Sequence, residues 1–164
     1  MTEERQAAAA VAASESPASN GSTCDYWLRV HGYPGDLTRE TVYYGDFVDL
    51  MSGPLPEDPR AHLKAGDALI YYADGPGSLY GVATVTGEVE GPLPDVRRGH
   101  IWEVPIKRDA LIKAVNKMPH AVALEPPSGR HFLWFVRDYT YIKLPVPDGV
   151  YLVHAVKSRA GGKD

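Results

Sequence analysis

The sequence predicts a mainly β (α+β) domain, a small β-barrel with a few short flanking helices. Three observations carry this reading. Seven short runs are rich in β-branched and aromatic residues, and most are punctuated by Gly, Pro or Asp. The chain has 164 residues, 44% hydrophobic and 23% charged, which suits one compact core rather than a disordered chain. Closing a small sheet on itself removes the exposed edges that an open sheet would leave, so a barrel is the expected arrangement.

The runs, in order, are YWLRVH (26–31), ALIYYA (68–73), YGVATVTGEV (80–89), IWEVPI (101–106), FLWFV (132–136), YTYIKL (139–144) and VYLVHAV (150–156). VPDGV, before the last run, pairs a proline that presets one turn dihedral with a glycine that accepts positive φ, so a closing hairpin is predicted there. In RDALIKAVNKMP, Asp109 can cap a first turn, Leu111, Ile112, Val115 and Met118 share one helical face, and Pro119 stops it. This segment is the best helix the pattern offers. A shorter helical turn is predicted in EDPRAHLKAG, with Asp58 as cap and Gly66 ending it.

Residues 1–23 are Ala, Ser and Glu with almost no large apolar side chain, so they read as a disordered leader. Residues 159–164 read as a flexible tail, leaving residues 24–158 as the domain. The single cysteine, Cys24, excludes an internal disulfide, and no apolar run reaches the roughly 18 residues needed to cross a bilayer. A cytoplasmic protein with no membrane partner is the expectation. The net charge of −4 argues against an indiscriminate nucleic-acid coat. Its distribution is uneven, however: residues 25–96 hold 4 Lys/Arg against 12 Asp/Glu, and residues 97–158 hold 10 against 5. The second half can therefore present a basic face while the whole stays acidic.

Signatures of catalysis are sparse. GPGSLYG lacks the dinucleotide-binding spacing and reads as a hairpin loop. The six histidines show no H-x-x-x-H pair, so neither a metal nor a cofactor is expected. Aromatic residues say more, clustering at the ends of the predicted strands, where several rings near an arginine would suit a flat nucleobase. For any one of them taken alone, core packing is the better account. Adjacent strand residues face opposite ways, so Tyr72 is expected to face a cavity and Tyr71 packing or solvent.

The order of segments adds a resemblance. Gly66 and Asp67, Tyr72, Gly81, Val85, Trp102, Val104 and Arg137 follow one another as in the EVE-domain family of the PUA-like superfamily, related to YTH and ASCH domains. The chain resembles that family from about Asp25 to Leu144. The segment from His31 to Lys64 and the DYTY that follows Arg137 depart from the family pattern. The resemblance implies a PUA-like barrel and a non-catalytic module that binds DNA or RNA carrying a modified base. Trp27, Tyr72 and Trp134 are then the expected pocket walls, with His31, Tyr33 and Arg137 on the rim and Trp102 in the core. Arg97, Arg98, Lys107, Arg108 and Arg130 are the expected phosphate-backbone contacts. Two rival readings are an ASCH-like hydrolase acting on RNA or a modified nucleoside, and a protein-interaction module whose exposed aromatics bind a partner chain.

Overall fold

The computed structural model describes residues 24–31, 39–42, 47–56, 62–95 and 99–160, without the side chains of 31, 39–42, 95 and 99–101. The expected leader, Tyr33, Arg97, Arg98, most of the expected tail and the first half of the expected second helix lie outside the described residues, and the second half of that helix, His62 to Gly66, forms turns and no helix. Among the described residues nine strands form one mixed sheet: β1 (Tyr26–His31), β2 (Arg39–Val42), β3 (Phe47–Asp49), β4 (Gly53–Pro54), β5 (Ala68–Ala73), β6 (Ser78–Val85), β7 (Glu90–Asp95), β8 (Gly99–Leu111) and β9 (Tyr141–Leu144). Their order is β2-β8-β6-β5-β1-β9-β3-β4, with β7 also paired to β8. Among the described residues the two ends of this path, β2 and β4, are not paired with each other. The fold is thus mainly β, as the sequence predicts.

The centre of the sheet is where the sequence pattern is strongest. All six residues of β5 are buried, which matches an uninterrupted apolar run covered on both faces. β5 pairs parallel with β1 and antiparallel with β6, and a register shift falls between Tyr71 and Tyr72. β9 lies between β1, its antiparallel neighbour, and β3, its parallel one.

Three longer segments also differ from expectation. The predicted helix from Asp109 is instead the end of β8, a 13-residue strand, followed by a 3-10 turn at Val115–Lys117. β6 needs a partner on that side, and the pairing of Ala83 with Arg108 and of Val82 with Ala110 leaves Asp109 as the extra residue of a bulge. Asp109, expected to cap a helix, accepts the Thr84 hydroxyl at 2.5 Å. Sheet pairing has overridden helical periodicity here.

The predicted closing hairpin and last strand are instead α1 (Val146–Ala160), the one α-helix among the described residues. Pro147 is tolerated in the first turn, and Asp148 lies there too, with Lys157 and Arg159 in the last. Leu152 and Val156, four apart, are buried on one stripe with Asp148 and Gly149. Gly149 allows the helix to sit against β1, because a Cβ there would lie 2.1 Å from Cγ of Tyr26. Valines at 146, 150, 153 and 156 made a helix look like strand.

FLWFV, expected as a strand, is a 3-10 turn at Phe132–Trp134. His131 holds it. The imidazole Nε2 lies 3.1 and 3.2 Å from the Ala121 and Leu124 carbonyls, so it carries the proton, and Nδ1 accepts from the Leu133 amide at 3.2 Å.

Candidate functional site

Two aromatic clusters form, and they differ in access to solvent. The first lies on β1, β3 and β9. Trp27 meets Phe47 edge-on at 5.6 Å and His62 at 6.1 Å, and Phe47 stacks on Tyr141 at 4.9 Å. The indole Nε1 of Trp27 donates to Oδ2 of Asp67 at 3.3 Å. Asp67, itself buried, also accepts the backbone N–H groups of Asp25 and Lys64 and the Lys64 ammonium, each at 3.1 Å. Burial pushes the Asp67 carboxyl above its ordinary value, and those hydrogen bonds and the Lys64 charge only partly offset it. Arg29, on the same strand face as Trp27, lies over the Tyr141 ring at 4.9 Å and donates to the Val30 carbonyl.

The structure therefore seats Trp27 in the core, 1% exposed. Tyr72 is buried as well, so the expected split between a tyrosine facing a cavity and one in packing does not appear. Tyr71 meets Tyr80 at 5.6 Å, while Tyr72 meets Phe132 edge-on at 6.0 Å. Burial, then the nearby Asp74 charge, raises the Tyr72 phenol above its ordinary value. Trp102 is buried, as expected. The His31 side chain and Tyr33 lie outside the described residues.

The second cluster is the segment from Ser128 to Arg137. Asp148 of α1 accepts both the backbone N–H (2.8 Å) and the hydroxyl (2.6 Å) of Ser128, whose Oγ in turn accepts the Arg130 N–H at 3.1 Å. Phe132 is a peg in the core, packed on His131 at 4.5 Å and on Tyr72. Two residues further on, Trp134 is 63% exposed, with the Arg130 guanidinium 5.4 Å from its ring centre. Arg130 Nε is buried without a hydrogen-bond partner, and Arg137 is exposed. Tyr72 and Trp134 thus belong to one end of the fold through Phe132, whereas Trp27 belongs to the first cluster. The serine, histidine and aspartate that fix this segment carry no recognisable spacing, so sequence reasoning missed them.

A separate cleft of roughly 370 Å³ opens between the end of β8 and the last turn of α1, lined by Arg108, Lys113 and Lys157. Of the remaining expected phosphate contacts, Lys107 pairs with Asp109 at 3.7 Å. Lys113 and Lys157 were missed, the one read as helix surface and the other as following a strand. Among the described residues no group of three or more His, Cys, Asp or Glu could hold a metal ion, and no helix is long and apolar enough to cross a membrane.

No protein-family model and no curated protein matches the sequence. Among solved structures, the chain is similar to the NMR structure of Rpa0253 from Rhodopseudomonas palustris, with a TM-score of 0.50 and 18% identity over 84% of this chain and 93% of that one. It is also similar to a hypothetical protein from Leishmania major, with a TM-score of 0.48 and 11% identity over 84% and 97% of the two chains. The likeness to Rpa0253 is one of fold.

Proposed function

We propose that this chain is a nucleic-acid-binding module of the EVE type, built on a PUA-like barrel, that stacks a nucleobase on Trp134 and favours a modified one. The observation that supports this is an indole 63% exposed on a segment anchored at three points: Phe132 in the core, His131 on two carbonyls, and Ser128 on α1. Leaving a tryptophan in water forgoes the stabilisation that burial would give it. Arg130 stands over the ring and Arg137 lies three residues along, so the platform has cations at hand for a base rim or a phosphate. Stacking on one aromatic ring contributes roughly 1–3 kcal/mol, and extruding a paired base costs a few kcal/mol. One exposed ring offsets that cost only in part. Single strands and weakly paired sites are therefore the preferred targets.

The test is a fluorescence titration with single-stranded oligonucleotides carrying modified cytosine or adenine, beside their unmodified counterparts. Modified strands should bind more tightly, and Trp134→Ala should weaken binding roughly 5- to 150-fold, the equivalent of that stacking energy, at an unchanged unfolding midpoint. Equal, weak binding to every strand would reject base recognition. Capture of a partner chain that survives nuclease and needs Trp134 would replace it with the protein-interaction reading.

A further inference from the structure

The cleft between β8 and α1 is a separate feature, and its charges require an account. Arg108, Lys113 and Lys157 converge on it, from the strand, the segment after it and the helix. Among the described residues none of the three has an ion-pair partner. Among the described residues Asp109 is the one carboxylate in the lining, and it is already engaged by the Thr84 hydroxyl and by Lys107. Arg108 and Asp109 are neighbours in the lining at the bulge of β8, and the Asp109 carboxylate is turned to Lys107 and Thr84.

We propose that this cleft binds a phosphate group. Like charges brought together on packed elements repel one another, and an anion between them turns that repulsion into attraction. The carbonyl end of α1 reaches the same cleft at Ala160 and brings about half a negative charge, which three cations against one engaged carboxylate outweigh. Arg108 supplies a planar fork that can hold two phosphate oxygens, and the two lysines supply compact charges on flexible stems. The volume is ample for a phosphate with part of its hydration shell. The phosphate can come from a nucleic-acid backbone or from a free phosphate compound, and the chemistry of recognition is the same. This site stands on its own observation and does not depend on stacking at Trp134.

The full chain is titrated with inorganic phosphate, followed by thermal shift and by NMR of the arginine and lysine side chains, and with a single-stranded oligonucleotide at several salt concentrations. The triple variant Arg108→Gln/Lys113→Gln/Lys157→Gln should abolish the phosphate response and flatten the logarithmic salt slope of oligonucleotide binding by roughly 2, since each phosphate that a cation neutralises on a single strand contributes about 0.7. Lys157→Arg should retain both responses, and Lys143→Gln, on β9 and outside the lining, should leave them nearly unchanged. Should the triple variant fail to fold, the three single variants give the same reading in steps of roughly 0.7. Response to the oligonucleotide alone identifies the backbone as the source. Response to inorganic phosphate without oligonucleotide binding identifies a free phosphate compound, and then the cleft stands while the nucleic-acid reading falls. The proposal is overturned if neither probe responds to the cleft variants, or if Lys143→Gln acts as strongly as they do.

Discussion

β1 and the segment from Arg130 to Arg137 use the same side chains to opposite ends. Each has a tryptophan, and each has an arginine over a ring, at 4.9 Å for Arg29 on Tyr141 and 5.4 Å for Arg130 on Trp134. On β1 the indole finds an acceptor within the core, the Asp67 carboxylate, and closes over with Phe47 and His62. At Trp134 the backbone is pinned while the ring itself stays in solvent. Aromatic content alone does not separate a core from a binding surface. The difference lies in whether the neighbouring elements bring a partner for the polar edge of the ring.

The comparison breaks most sharply under truncation. Trp27→Ala removes a fully buried indole and leaves Asp67 without one of its donors, so it should cost about 3–5 kcal/mol of stability in a urea titration. Trp134→Ala should change stability by no more than about 0.5 kcal/mol. Equal losses at the two sites would mean that Trp134 is structural after all.

Gly149→Ala comes next. Helix propensity alone favours alanine by about 1 kcal/mol, but the new Cβ would lie 2.1 Å from the Tyr26 ring. Overpacking costs typically about 1–3 kcal/mol, so the net effect in the same titration should be a loss. A gain would show that α1 stands further from β1 than described.

The smallest expected effect is a pH slope. Because the folded-state pKa of Asp67 lies above its ordinary 3.8, the folded chain holds that proton more tightly than the unfolded chain. The resulting stabilisation is fully present below the unfolded pKa and is lost as pH rises through the folded value. Relative to Asp67→Asn, the natural chain should therefore lose stability as pH rises above the ordinary 3.8. An opposite slope would mean that Lys64 and the amides outweigh burial.

How much of this was legible in the sequence follows from where the pattern had a single physical cause. β5 begins and ends where its apolar run does, because a strand buried on both faces needs nothing but apolar residues, and β1 has the bounds of its predicted run. The end of β8 and α1 were misread because the deciding interactions are distant. The unpaired side of β6 draws Asp109 to Leu111 into the sheet, and Ser128 and Tyr26 receive the first turn of α1. Trp134 was named from the sequence, yet its exposure comes from Phe132, which takes the core position two residues before it. The cationic cleft was half legible. Arg108 stood out in a basic stretch, whereas Lys157 joins it only because residues 146–160 coil into a helix.

The place of β9 has a consequence for biosynthesis. Residues 26–31 and 47–49 leave the ribosome early, yet the strand that belongs between them is residues 141–144. At about 5–20 residues per second, the nascent chain carries both unfilled edges for roughly 5–20 seconds. Over that interval these strands are open to stray pairing, and residues 141–144 then fill the place between them.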